Sequence, residues 1–200
     1  MVKTNSNFVA LGSRLPNFNL FNANSPISQN YRFSDLDERH LLVMFICAHC
    51  PFVKYVEPEI SRIYNEIDNK FQVIAISSND ISTHPDDSPE NLKIQAHNNG
   101  WNFPYLYDHD QAFAKQLEAA CTPDFYLFSN LGNKNFSLYY HGQIDSSRPS
   151  NEIPLNGNDL RTAIRALSNN KGYPYPQIPS LGCNIKWTPG NEPIWFKSIK

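Results

Sequence analysis

Hydrophobic positions along the chain follow two periods, one typical of strands and the other of helices. Residues 41–46 (Leu-Leu-Val-Met-Phe-Ile) and 71–76 (Phe-Gln-Val-Ile-Ala-Ile) are almost continuously apolar, which predicts two strands buried on both faces. Between them, apolar residues recur every three or four positions over 51–69, which predicts a helix with one buried face. Pro51 suits the first turn of this helix, and Pro58 predicts a kink within it.

The remaining elements continue this alternation. Turn residues and apolar spacing predict a short N-terminal strand within 12–21, a helix from Ser88 to about Asn98, a strand over 103–107, a helix from Asp108 to about Leu117, a hairpin of strands 124–128 and 136–140, and a helix over 160–167. Strands that alternate with helices predict a layered α/β domain with parallel strands, to which the hairpin adds antiparallel strands.

Residues 171–200 differ in composition from the preceding chain. They contain five prolines and three glycines, yet also aromatic residues such as Tyr173, Trp187 and Trp195. A free linker would not be so aromatic, so we expect this tail to pack on the surface of a domain formed by residues 1–170, with little regular structure.

Composition narrows the classes of function. The chain has 200 residues, is 40% hydrophobic and carries a formal net charge of −2, so no excess of positive charge favours nucleic acid or an anionic membrane as a partner. No apolar run reaches the length of a membrane span. The N-terminus lacks the apolar stretch of a secretory signal, and we therefore expect a cytoplasmic protein.

The candidate chemistry lies at Cys47-Ala48-His49-Cys50. These residues stand between a predicted buried strand and a helix that begins with Pro51. A helix N-terminus favours a thiolate, which is the reactive form in disulfide exchange. We predict that Cys47 is the more exposed and more acidic thiol, that Cys50 lies deeper, and that a protonated His49 stabilises the Cys47 thiolate.

Other interpretations of these cysteines stay open. A Cys-x-x-Cys pair also forms half of many zinc sites, but no second Cys-x-x-Cys or His-x-x-x-His follows, so we expect no metal. His49 is alternatively a surface residue without a function. Cys121 and Cys183 are candidate auxiliary thiols, each with a purely structural role as the alternative. The other five histidines show no ligand spacing and are interpreted as surface or loop residues, and Arg148 as a solvated loop residue.

Several segments together resemble the AhpC/TSA peroxiredoxin-like branch of the thioredoxin-like superfamily. The similarity spans nearly the whole chain and rests on Pro16-Asn17-Phe18, on residues 44–54 around the cysteine pair, on 76–80, on Cys121-Thr122-Pro123-Asp124-Phe125, on 142–149 and on the tail from Gly182 to Pro193. It implies a thioredoxin fold: a three-layer α/β/α sandwich with a mixed central sheet, an N-terminal β extension and an irregular C-terminal tail. It also implies that Pro123 is a cis proline facing Cys47 and Cys50.

The chain departs from both best-known patterns of this superfamily. Ile46 stands where thioredoxins usually have tryptophan, and Leu41 where they have a buried aspartate. If Cys50 is matched to the reactive cysteine of peroxiredoxins, Cys47 replaces their threonine and Val43 their proline.

The sequence therefore predicts a thiol–disulfide oxidoreductase that needs no bound cofactor, in which Thr122 and Pro123 dock the substrate backbone. Its partners would be a disulfide-containing protein or a small thiol, together with a reductant such as a thioredoxin or glutathione system. Two alternatives are a peroxiredoxin-like thiol peroxidase, which passes through a sulfenic acid, and a non-enzymatic domain that binds a partner or a metal.

Overall fold

A mixed seven-stranded sheet forms the centre of the fold. The structure is a computed structural model that describes residues 3–27 and 29–199, with the side chains of 197–199 excepted. Its strands are β1 (Lys3–Asn5), β2 (Asn19–Asn22), β3 (Gln29–Arg32), β4 (His40–Phe45), β5 (Phe71–Ser77), β6 (Tyr105–Tyr107), β7 (Cys121–Thr122), β8 (Asp124–Asn130), β9 (Phe136–Gly142) and β10 (Leu181–Asn184). The helices are α1 (Pro51–Glu66), α2 (Pro89–Asn99), α3 (Ala112–Gln116) and α4 (Asn158–Ser168).

The order of strands in this sheet is β3-β2-β6-β5-β4-β8-β9. Strands β4, β5 and β6 are parallel, whereas β8, β9, β2 and β3 join the sheet antiparallel. A parallel neighbour requires a crossover, and α1 supplies the connection between β4 and β5. The cysteine pair lies at the end of β4, at the start of this crossover.

Alternating side chains of the sheet bury two separate apolar clusters. From β4, Leu42 and Met44 join a cluster with α1, α2 and α4, while Leu41, Val43 and Phe45 join a cluster with α3. Successive side chains of a strand point to opposite faces, so an uninterrupted apolar run is covered on both sides. The predicted three-layer thioredoxin fold with a mixed central sheet is confirmed.

Helix boundaries follow the sequence signals closely, with one exception. The Ser88 hydroxyl caps α2, and Gly100, with φ +69°, ends it in the left-handed region that favours glycine. Asp108 and Gln111 have the spacing of a capping box, which would begin the predicted helix at Asp108, but no capping box forms there. Gln111 is left-handed, and the Asp108 carboxylate instead accepts the backbone N–H groups of Phe113 and Ala114, so α3 is shorter than predicted.

The tail contains two regular elements, a 3-10 helix over Ile194–Ile199 and a strand that belongs to a second, smaller sheet. Strand β10 lies between β1 and β7 and pairs antiparallel with both. Further along the tail, Ile185 and Trp187 are buried in the cluster on the α3 side of the central sheet. The division of the chain at residue 170 stays a prediction. The tail also reaches the cluster on the α1 side of the sheet, where Cys183 of β10 is buried together with Cys47 and Cys50. Among the described residues, no helix has the length and apolar content needed to cross a bilayer.

Candidate active site

The two cysteines of the pair are held by the junction of β4 and α1. Cys50 is the N-cap residue of α1, in an extended conformation, and Pro51 opens the first turn. Cys47 follows the buried end of β4. Both residues are 0% exposed. The pair therefore lies at a helix N-terminus, as its position in the sequence predicts, but neither thiol is open to solvent in this conformation.

Cys183 also lies in this site. Its sulfur is 2.6 Å from the Cys50 sulfur, although the two residues are 133 positions apart in the chain. This separation is about half an ångström longer than the ~2.05 Å of a disulfide. Cys183 therefore lies beside the candidate pair, and its role as an auxiliary thiol stays a prediction.

The Cys50 sulfur is the best stabilised of the three as a thiolate. The hydrogen bond between Cys50 and Cys183, the interaction with the Cys47 thiol and the backbone N–H of Val53 lower the pKa of Cys50 to about 2, although burial acts in the opposite direction. The same hydrogen bond and burial raise the pKa of Cys183. These interactions favour the thiolate on Cys50, at the N-terminus of α1.

Cys47 is the less acidic member of the pair. Burial raises its pKa well above the ordinary range, and the hydrogen bond to Cys50 and the charge of Asp87 raise it further. The Thr122 hydroxyl, 3.4 Å from the Cys47 sulfur, acts the other way. The prediction of Cys47 as the more exposed and more acidic thiol is therefore wrong, because the donors that stabilise a thiolate converge on Cys50.

Asp87 organises the loop that carries the pair. One carboxylate oxygen accepts the backbone N–H groups of Ala48 and His49, at 2.8 and 3.0 Å. The other accepts the Asn79 amide at 2.8 Å and lies 2.5 Å from Nδ1 of His49. Burial acts to raise the pKa of Asp87, but hydrogen bonds from His49 and Asn79 outweigh it and lower that pKa. Sequence reasoning missed this residue, and its one local signal is an acidic position just before the Ser88-Pro89 helix start.

His49 contacts Asp87 more closely than it contacts Cys47. Its Nδ1 atom lies 3.9 Å from the Cys47 sulfur and 2.5 Å from the Asp87 carboxylate. The side chain of His49 is only 14% exposed, so it is not a freely solvated loop residue. Its geometry suits partial neutralisation of Asp87, whose charge otherwise acts on Cys47.

The peptide bond between Thr122 and Pro123 is cis, as the resemblance implies. The Thr122 carbonyl oxygen lies 3.4 Å from the Cys50 sulfur. On the other side, Thr122 pairs with Cys183 of β10, and the Ile185 N–H donates to the Ala120 carbonyl at 3.0 Å. The backbone that was predicted to dock a substrate is thus already paired with the protein's own tail.

Other candidate residues lie outside the thiol cluster. Cys121 is buried, with its sulfur 4.0 Å from the Ser180 carbonyl oxygen, and burial raises its pKa well above the ordinary range. Arg148 is half-buried and donates to Asp145, Ser147 and Gln143 within its own loop. His141 is not a surface residue as predicted: it is 6% exposed and pairs with buried Asp124 at 3.0 Å.

Donor atoms of Cys47, His49 and Asp87 all lie within 4.8 Å of one another, which is the spacing of a possible metal site. The 2.5 Å between His49 and Asp87 is nevertheless a hydrogen-bond distance. Two ligands of one tetrahedral zinc ion would be about 3.3 Å apart, given zinc–ligand bonds of about 2.0 Å. The arrangement fits a hydrogen-bonded pair better than a pair of metal ligands.

Comparison with known proteins identifies the family of this chain. The AhpC/TSA family matches residues 11–134, and the chain belongs to that family. An uncharacterized conserved protein from Geobacillus kaustophilus is 43% identical, with 95% of this chain and 98% of that chain covered and a TM-score of 0.88. A protein from Sinorhizobium meliloti 1021 is 38% identical, with 94% and 100% covered and a TM-score of 0.86.

More distant structures share the fold. The thioredoxin domain of a thiol-disulfide oxidoreductase from Bacteroides vulgatus is 15% identical, with 78% of this chain and 99% of that chain covered and a TM-score of 0.56. No curated protein matches the chain. Family and fold together support a thioredoxin-like redox role.

Proposed function

We propose that the protein is a thiol–disulfide oxidoreductase whose redox-active pair is Cys47-Ala48-His49-Cys50. The observation that carries the proposal is the position of the pair at the junction of β4 and α1, where Cys50 is the N-cap residue of the helix and Cys47 lies three residues before it. A thiolate at a helix N-terminus with a second thiol beside it is the arrangement that disulfide exchange requires.

The acidity of the thiols assigns the roles within the pair. The Cys50 thiolate attacks one sulfur of a substrate disulfide, forming a mixed disulfide and expelling one substrate thiolate, which takes up a proton. Cys47 then loses its proton and attacks the Cys50 sulfur, and the second substrate thiolate leaves. The Cys47–Cys50 bond forms, the substrate bond is broken, and two electrons pass from protein to substrate. Asp87 and His49 hold the loop in place and set the charge near Cys47.

The partners follow from this chemistry. The substrate is a disulfide-containing protein or a small disulfide, and a thioredoxin or glutathione system restores the dithiol. Thr122 and Pro123 are the proposed docking site for the substrate backbone, and β10 must leave this edge before a substrate can pair there. A cytoplasmic location fits a pair kept largely as thiols.

A second candidate function, thiol peroxidase, has one specific observation in its favour. Cys50 is the acidic thiol and precedes Pro51, which is the position that matches the reactive cysteine of peroxiredoxins. Its thiolate would attack a peroxide O–O bond to form a sulfenic acid, which a neighbouring thiol would condense to a disulfide with loss of water. Arg148 donates its hydrogen bonds within its own loop, so this residue is not placed as the cation that would bind peroxide.

The two functions are separated by the rate at which the reduced protein is oxidised. We expect a disulfide such as oxidised glutathione to oxidise it faster than hydrogen peroxide at equal concentration, with closure of Cys47–Cys50. Cys50→Ser should abolish the reaction, and Cys121→Ser, which removes a buried thiol outside the cluster, should retain it. Faster oxidation by peroxide, with a sulfenic acid trapped at Cys50, would favour the peroxidase instead.

A further inference from the structure

Strand β10 brings a third sulfur to the redox pair by a specific backbone route. Cys183 is the register partner of Thr122, the residue before the cis proline. The residue before it, Gly182, packs so closely that a Cβ atom there would lie 2.0 Å from the Thr122 carbonyl oxygen. Only glycine allows the strand to approach this far, so the position of Cys183 is built into the local sequence.

The sulfur of Cys183 contacts the sulfur of Cys50. Cys183 is 1% exposed, and its sulfur lies 2.6 Å from that of Cys50. On its other side, Cys50 interacts with Cys47, which lies three residues earlier at the end of β4, so it lies between two thiols. A disulfide on either side of Cys50 therefore has the other thiol placed to exchange with it.

We propose that Cys183 is a third redox thiol that forms an internal disulfide with Cys50, and that β10 thereby acts as a built-in substrate of the Cys47–Cys50 pair. The inference rests on the proposed function, which supplies the first disulfide by exchange with an external one. The Cys183 thiol loses its proton and attacks the Cys50 sulfur of the Cys47–Cys50 bond. The Cys50–Cys183 bond forms, the Cys47–Cys50 bond breaks, and Cys47 leaves as a thiolate that takes up the proton. No electrons are gained or lost.

This disulfide exchange changes access to the backbone edge at Thr122, which is the proposed docking site. In the Cys50–Cys183 form, β10 is tied covalently beside Thr122, and the edge stays closed to other chains. In the Cys47–Cys50 form, only backbone pairing and side-chain packing hold β10, and a substrate can compete for the edge. The disulfide partner of Cys50 then determines whether a substrate can reach the edge at Thr122.

The proposal is tested by mapping disulfides in full-length protein equilibrated with glutathione buffers of graded ratio, quenched with acid and alkylated. Wild type should contain both Cys47–Cys50 and Cys50–Cys183 linkages. Cys47→Ser should form one disulfide per chain, Cys50–Cys183, and adding Cys121→Ser should leave it unchanged. Adding Cys183→Ser instead should leave no internal disulfide.

Two outcomes would overturn the proposal while the proposed function survives. One is a wild-type protein that shows only Cys47–Cys50 at every buffer ratio and still reduces disulfides. The other is Cys47→Ser that stays reduced in buffers that oxidise wild type, although its circular dichroism is unchanged. Should that variant fail to fold, the wild-type map alone decides. A wild type that exchanges with no disulfide would instead remove the proposed function.

Discussion

At the scale of single residues, Asp87 contacts the candidate redox loop at more points than any other acidic residue among those described. Its buried carboxylate accepts two backbone N–H groups, an amide and the His49 ring nitrogen. A buried carboxylate is tolerated only when such donors replace the water it has lost. The loop and the carboxylate therefore stabilise each other.

Asp87→Asn should destabilise the protein. The amide has one acceptor oxygen instead of two, so at least one buried donor loses its partner, at a cost of about 1–3 kcal/mol. Urea unfolding at neutral pH measures this difference in the free energy of unfolding. Asp86→Asn changes an exposed neighbour and should shift stability by less than about 0.5 kcal/mol. Equal stabilities of the two variants would contradict the role given to Asp87.

The difference in free energy of unfolding between wild type and Asp87→Asn should depend on pH. The folded-state pKa of Asp87 lies below its ordinary value, so its contribution to stability is fully present above the unfolded pKa, about 3.9. That contribution is lost as the pH falls through the folded pKa. The gap between wild type and Asp87→Asn should therefore be constant from about pH 5 to 7 and shrink below about pH 4. A gap that widens on acidification would contradict this sign.

His49→Leu should make the Cys47–Cys50 disulfide harder to reduce. The imidazole offsets the charge of Asp87, so its loss disfavours thiolate in the pair and stabilises the disulfide relative to the dithiol. One pKa unit corresponds to about 1.4 kcal/mol, or about 30 mV for two electrons, and we expect the potential to fall by tens of millivolts. Equilibration against glutathione measures it. His97→Leu, on the exposed face of α2, should leave the potential unchanged, and an equal potential for His49→Leu would show that His49 has no such role.

At the scale of elements, the contact between β10 and the cis-proline segment is the one that brings the third sulfur into place. Gly182→Ala introduces a methyl group that meets the Thr122 carbonyl, and backbone cannot move aside as a flexible side chain would. We expect a loss of stability of about 1–3 kcal/mol and a smaller fraction of Cys50–Cys183 disulfide, with Cys47–Cys50 retained. Gly172→Ala, where nothing lies within 4 Å, is the matched control. An unchanged disulfide map in Gly182→Ala would show that this close approach is not required.

At the scale of the whole molecule, the two proposed disulfides would close loops of very different length. Cys50 and Cys183 are 133 positions apart, and a crosslink of that span is expected to stabilise the fold by about 5 kcal/mol, against about 2 kcal/mol for the four-residue Cys47–Cys50 loop. Oxidised Cys47→Ser should therefore gain more resistance to urea over its reduced form than oxidised Cys183→Ser gains over its own. Equal gains would mean that the long loop is not closed.

Much of the fold could be predicted from local patterns. The apolar run that forms β4 and the three-and-four spacing that forms α1 each specify an element by period alone, because burial of one or two faces follows directly from that period. Cysteines at the junction of such a strand and helix must lie at the helix N-terminus. The position of the candidate pair, the three layers and the cis Pro123 were thus available from sequence and family resemblance.

Only the tertiary structure shows where Asp87 and Cys183 lie relative to the candidate pair. No spacing in the sequence relates Cys183 to Cys50 or Asp87 to His49, because these contacts depend on how the tail and the loop before α2 fold back onto the end of β4. The acidity of a buried thiol depends on which groups reach its sulfur, and those that lower the pKa of Cys50 come from the tail, the cis-proline segment and α1 as well as from Cys47. For that reason the sequence located the candidate pair, and only the packed structure indicates on which of its sulfurs a thiolate is favoured.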